Sequence, residues 1–322
     1  MRVREVLITG AGGQRGTELA RIAWADGFAP VAVGRDTLDL SDPAAIARVV
    51  GGRPYAAVIN AAAYTAVDKA EGDVVAAWQV NALAPAALAA ACAGAGIPLV
   101  QVSTDYVFAG DRQGAWGVDD PVAPLGVYGA SKLGGELAVR TSGARHAIVR
   151  TAWVVSAHGG NFVKTMLRLA ASRDTLSVVD DQIGSPTSAA DLAHALMQIA
   201  VAMAGDPARP SGIFHFANAG AVSWAGFAAE IFRQSALRGG PSAAVTPITT
   251  AQYPTPAKRP ANSLLATDAI SQAYGIVPRD WRAALGDILD ELVGPAAARS
   301  ADTPRAAATP THPSADRRNI DA

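Results

Sequence analysis

Hydrophobic residues in the first half of the chain fall into short continuous runs separated by segments whose apolar positions recur every three or four residues. The runs are residues 3–9, 29–33, 56–60, 98–103 and 146–150, each of strand length. The segments 17–24, 43–50, 74–95 and 128–141 carry the helical period. Asp42 can start the second of these, with Pro43 in its opening turn. The long Ala-rich third is expected to be broken or bent near Pro85. Strands that are apolar throughout are covered on both faces, so this alternation predicts βαβ units and a mainly parallel sheet. After Thr151 the pattern loosens. Residues 162–171, 191–203, 223–234 and 281–293 read as helices and 213–216 as a short strand, with Pro- and Gly-rich connections between them.

The first strand runs into GAGGQRG at residues 10–16, and a helix follows. A turn of this kind must reverse tightly, let backbone approach a pyrophosphate, and aim the N–H groups of a helix start at negative charge. Its position between a strand and a helix, inside a βαβ unit, is the context that gives the glycine pattern meaning. The fold class is therefore α/β, a Rossmann-like doubly wound parallel sheet with a smaller, interleaved C-terminal lobe for substrate. The expected division is a dinucleotide-binding part at 1–152, joined by later elements near 177–217, and a mainly substrate-binding lobe at 153–294. Residues 295–322 are Ala-, Pro-, Thr- and Ser-rich without apolar period, and disorder is expected there.

Gly10, Gly12, Gly13, Gln14, Arg15 and Gly16 form the candidate phosphate turn. The second strand ends in Val33-Gly34-Arg35-Asp36. Arg35 suits the 2′-phosphate of NADPH, whereas Asp36 can take the ribose-binding role found with NADH. The third strand ends in NAAAYT, where small residues such as Ala62 and Ala63 allow a flat cofactor to lie close. Tyr128 and Lys132 are four apart on a predicted helix, so phenol and ammonium share a face. A fixed cation beside the phenol is expected to bring its pKa toward the working pH. The fourth strand ends in STDYVF. Thr104 puts a hydroxyl at the carboxyl edge, where it can share a developing oxyanion; Ser103 competes for that role. Asp105 either holds a sugar hydroxyl or caps the following turn.

Composition narrows the partners. Net charge is −1 and charged residues are 17 %, which leaves no footprint for nucleic acid. No run of about 18 apolar residues reads as a membrane span, and MRVREVLITG has no signal-peptide pattern, so a soluble, cytoplasmic protein is expected. The five histidines are scattered without ligand spacing, so no metal is expected. Cys92 has no cysteine partner and reads as an inert core residue.

Taken together, GAGGQRG (10–16), LDLSD (38–42), NAAAYTAVDKAE (60–71), STDYVFAG (103–110), YGASK (128–132), RTAWVVSAHGGNFVKTMLRLA (150–170), DDQIGSPT (180–187) and KRPANSLL (258–265) resemble the extended short-chain dehydrogenase/reductases. Within these they resemble the dTDP-4-dehydrorhamnose reductase family. The resemblance implies NADPH-dependent reduction, with NADH possible, of the C4 keto group of dTDP-4-dehydro-β-L-rhamnose to dTDP-β-L-rhamnose. It implies Tyr128 as proton donor, Lys132 as its partner and ribose ligand, and Thr104 as the hydroxyl that polarises the ketone. Gly12, Gly13 and Gln14 would meet the pyrophosphate, Asp39 and Leu40 the adenine, and Ala63, Tyr64 and Thr65 the path to the nicotinamide. Val67, Asp105 and Trp153 would contact the sugar, and Lys258 or Arg259 its diphosphate. Some members form dimers bridged by magnesium through glutamates. Arg15 is read at the first of those places, which speaks for a monomer or weak homodimer instead; its charge is expected at the phosphates. The other readings are a reductase of a different dTDP-4-keto-deoxysugar, a nucleotide-sugar epimerase or dehydratase, and a non-catalytic regulatory subunit of the methionine adenosyltransferase type.

Overall fold

The computed structural model describes residues 3–296. Six parallel strands form the central sheet: β1 (Arg4–Thr9), β2 (Phe28–Val33), β3 (Ala57–Asn60), β4 (Leu99–Thr104), β5 (His146–Thr151) and β6 (Gly212–His215). Their spatial order is β6-β5-β4-β3-β1-β2. The chain therefore reverses direction across the sheet between β1 and β3, which leaves a crevice at the carboxyl ends of those strands. Each inner strand is apolar on both faces. Val6 and Ile8 of β1, Ile59 of β3 and Val100 and Val102 of β4 pack toward one side, and Leu7, Val58 and Leu99 toward the other.

Helices α1 (Gln14–Arg21) and α6 (Ala189–Gly205) cover the first face. Helices α2 (Pro43–Gly51), α3 (Ala84–Ala95) and α4 (Val127–Thr141) cover the second. Asp42 caps α2 as expected, accepting from the N–H groups of Ala44 and Ala45. Cys92 is buried on this side, and burial pushes its thiol up to about 12. The remaining chain builds a lobe of α5 (Phe162–Ala170), α7 (Trp224–Ala236) and α8 (Trp281–Leu292) around a second core that holds Phe227, Ile231 and Trp281. A parallel strand pair, Thr175–Val179 with Ala244–Ile248, closes that core. The lobe is interleaved with the sheet because α6 and β6 return to it.

Two expectations need correction, and one gains detail. Helix α1 begins at Gln14, inside the glycine motif, and ends at Arg21; Trp24 lies beyond it and donates its indole N–H to the Leu19 carbonyl. The break in the long Ala-rich helix does fall near Pro85, as a wide turn at Gln79–Leu83. Proline has no N–H for the carbonyl four residues back, and the Asn81 carbonyl instead faces Gly135 of α4, where a Cβ would come within 2.2 Å. Finally, Val74–Ala95 is long and apolar enough to cross a membrane by length and composition; here it packs against α2 and α4. The expected disordered tail lies, from residue 297 on, outside the described residues.

Ile59 is fully buried in the central strand pairing. Ile59→Ala is expected to lower stability by about 2–5 kcal/mol, read as a lower urea midpoint with unchanged m-value.

Candidate active site

The glycine turn is shaped by close contacts. Gly10 sits at φ +80°, and a Cβ there would lie 2.8 Å from the Ala62 backbone. A Cβ on Gly16 would be 2.1 Å from the Gly10 carbonyl, whereas one on Gly12 would meet nothing within 4 Å. Two glycines thus fold the turn and a third leaves its outer side open. Gly13 precedes α1 without supplying a side-chain cap, so the first N–H groups of the helix are free to meet an anion. The lobe grips the turn from behind: Asn161 donates to Gln14 Oε1 at 3.2 Å.

A cavity of about 740 Å³ runs from this turn along the carboxyl ends of the strands. Gly10, Gly12, Gly13, Gln14 and Arg15 line it at the turn, Arg35, Asp39 and Leu40 beyond β2, and Ala62, Ala63 and Thr65 after β3. Val67, Thr104, Asp105, Tyr128 and Trp153 line its other end. Arg35 borders the cavity and Asp36 does not; the Asp36 carboxylate folds back over Gly34. Asp39 accepts from the backbone and hydroxyl of Ser41, and these bonds hold its carboxyl below the usual range. Three expected residues stand off the wall. Gly16 is inside the turn. Tyr64 turns its hydroxyl to Asp73, at 3.0 Å. Lys132 is buried behind Tyr128 and donates to the Val102 carbonyl at 2.6 Å.

At the far end both strand hydroxyls border the cavity, and their partners distinguish them. Ser103 donates to Glu136 on α4, and that carboxylate also takes a two-point ion pair from Arg150. Thr104 borders the cavity beside Tyr128, and its hydroxyl favours the ionised phenol. The Thr104 hydroxyl also donates to Asp105 Oδ1 at 2.9 Å. Asp105 is buried and its Oδ2 has no partner. Burial pushes its carboxyl up to about 6; the nearby Ser263 and Thr104 hydroxyls work against this.

The electrostatics of the Tyr-Lys pair differ from expectation. Burial raises the Tyr128 phenol, and the cation that works against this is Arg15, aided by the Thr104 hydroxyl. Burial pushes the Lys132 ammonium down to about 7; Arg15 adds to that and Glu136 opposes it. The charge of Arg15, expected at the phosphates, is therefore felt at the phenol and the ammonium.

Several positioning residues carry weaker sequence signals. Asn81, one of two polar residues in an apolar helical stretch, is buried and ties the backbone of Tyr64 to the Ser131 hydroxyl. Arg259 pairs with Asp68 at 2.7 Å and leaves Nη1 buried without a partner. Trp153 adopts φ +48°, rare for a bulky residue, and stacks on Trp224 with ring centroids 3.5 Å apart. Among the described residues no group of three or more His, Cys, Asp or Glu is placed to hold a metal ion.

Comparison with known proteins places this geometry. A family model, the RmlD substrate binding domain, matches residues 4–293. A dTDP-4-dehydrorhamnose reductase of Burkholderia thailandensis is 44 % identical over 300 residues, 90 % of this chain and 99 % of that protein. The chain belongs to the dTDP-4-dehydrorhamnose reductase family. A crystal structure of a reductase of this family from Clostridium acetobutylicum superimposes with a TM-score of 0.83 at 38 % identity, covering 89 % of this chain and 99 % of that one. Another from Bacillus anthracis, solved in complex with NADP, gives 0.83 at 34 % identity, covering 90 % and 100 %.

For this dTDP-4-dehydrorhamnose reductase family member, Gly16→Ala drives a methyl group into the Gly10 carbonyl. The substitution is expected to weaken dinucleotide affinity by at least about 10-fold, the equivalent of 1.4 kcal/mol. Quenching of intrinsic fluorescence on titration with NADPH measures it, and circular dichroism confirms that the variant is folded.

Proposed function

We propose that this chain reduces the C4 keto group of dTDP-4-dehydro-β-L-rhamnose with NADPH, giving dTDP-β-L-rhamnose. The observation that carries the reading is a single cavity, in a chain of this family, that begins at the uncapped start of α1 and ends on Thr104 and Tyr128. The open side of Gly12 and the free N–H groups of α1 fit a dinucleotide pyrophosphate.

When bound, the dinucleotide supplies the hydride. The side chains do the rest. The turn at residues 10–16 holds the pyrophosphate, Arg35 meets the 2′-phosphate, and Asp39 and Leu40 flank the adenine. Ala62, Ala63 and Thr65 shape the path to the reacting end, with Tyr64 set back from it. Thr104 and Tyr128 converge on the C4 oxygen, share the charge that develops there, and Tyr128 releases its proton to it. Lys132 lies behind the phenol, on the ribose side. Val67, Asp105 and Trp153 face the sugar, Trp153 as a flat apolar wall. In this reading residues 1–152, with elements near 177–217, serve the dinucleotide, and 153–294 mainly the sugar nucleotide. The enzyme works in the cytoplasm as a monomer or weak homodimer.

The test is loss of the reduced-nicotinamide absorbance with dTDP-4-dehydrorhamnose as substrate. Tyr128→Phe is expected to lower kcat by about 10²–10⁴-fold, with NADPH affinity retained. Faster reduction of another dTDP-4-keto-deoxysugar overturns the substrate assignment. Arg35→Ala is expected to erode the preference for NADPH over NADH by about 10-fold in kcat/KM, near the 1.4 kcal/mol that one order of magnitude represents.

A further inference from the structure

A hydroxyl has a single hydrogen to give. With Asp105 ionised, the Thr104 hydrogen goes to Asp105 Oδ1, at 2.9 Å, and Thr104 has none left for Tyr128 or for a substrate oxygen. The Tyr106 N–H donates to the same hydroxyl oxygen, which fixes its orientation. A bare carboxylate is also poorly served where it sits. Asp105 is 3 % exposed, Oδ2 has no hydrogen-bond partner, and no cation pairs with it among the described residues. The groups facing it are Thr104 from β4, the phenols of Tyr106 and Tyr128, and Ser263 from the C-terminal segment. Arg259 is near Tyr106, but Asp68 holds it. Buried oxygen without a donor favours the neutral acid.

We infer that Asp105 stores the proton that recharges Tyr128, passing it through the Thr104 hydroxyl. The inference rests on the reductase reading. Protonated Asp105 donates to Thr104 across the same contact, and this turns the Thr104 hydrogen toward Tyr128. Each reduction consumes one proton. Tyr128 loses its O–H hydrogen to the C4 oxygen; the resulting phenolate takes the hydrogen of Thr104; Thr104 takes that of Asp105. One O–H bond forms for each that breaks, and the chain ends with an Asp105 carboxylate. Asp105 lines the cavity, so water restores its proton once product has left.

Asp105→Asn keeps a donor for Thr104 but holds no proton that it can release. At saturating sugar nucleotide, the first turnover is expected to outpace the later ones: NADPH oxidation shows a burst of one equivalent per site, and the ratio of burst to steady-state rate rises about 10²-fold over wild type. In the cofactor-free protein, infrared difference spectra across pH are expected to contain a carboxyl band with a midpoint of about 6 that the Asn variant lacks. The group is raised, so the protonated fraction falls as pH rises through that midpoint, and wild-type kcat should decline with it while the variant's does not. An unchanged steady state, equal loss of first and later turnovers, or an Asp105 that stays ionised down to pH of about 4, its ordinary range, overturns the relay. Wild type that leaves NADPH unoxidised with this sugar overturns the reductase reading instead, and the infrared titration still reports on Asp105 by itself.

Discussion

The carboxylate of Glu136, buried between Arg150 and Ser103, sets how α4 lies on the edge of the sheet. Its two oxygens take both guanidinium bonds and the serine hydroxyl, so neither partner is left as an unpaired charge. Removing one partner of such a pair costs about 3–5 kcal/mol, because the other charge stays buried. Tyr128, Lys132 and Glu136 are spaced by four along one helix and so share a face. Fixing Glu136 against β4 and β5 fixes the phenol against the end of β4, two turns away. Lys132, between them, adds its own bond to the Val102 carbonyl.

The other half of the cleft is fixed by a run of buried amides and hydroxyls across three strands. Thr9 donates to Asn60, Asn60 donates to Gln101, and Gln101 donates to the Val102 carbonyl. Polar side chains in a parallel sheet need full partnering, and here they obtain it from one another. The result is a carboxyl edge in fixed register across β1, β3 and β4, with β4 running on to Thr104, at the place where the strand order reverses. Loops leaving that edge start from known heights, which is why the glycine turn, the small residues after β3 and Thr104 border one cavity.

Much of this was legible in the sequence. Strands buried on both faces appear as unbroken apolar runs, so the sheet could be read, and the glycine turn and the Tyr-Lys spacing gave the two ends of the cleft. What escaped depends on contacts distant along the chain. The pair Thr175–Val179 and Ala244–Ile248 joins segments with no local signal of parallel partnership. Helix α1 starts at Gln14 because Gly16 must be helical to pass under the Gly10 carbonyl, which overrides its low propensity. The contest between Ser103 and Thr104 was open until the Ser103 hydroxyl was seen bonded to Glu136. Arg15 looked like a phosphate ligand from its place in the motif; only the fold brings its charge to Tyr128.

The stacked indoles of Trp153 and Trp224 have an optical consequence. One follows directly on β5, in the sheet; the other opens α7, in the lobe. At a centroid separation of 3.5 Å, nearly parallel, their strong transitions are close enough to couple, and a far-ultraviolet circular-dichroism couplet is the expected signature. Gly184 leaves no room for a side chain beneath the Trp153 ring, which holds that half of the pair in place. Sheet and lobe are thus joined at the sugar end of the cleft by a natural spectroscopic ruler, and its signal reports their separation without any added label.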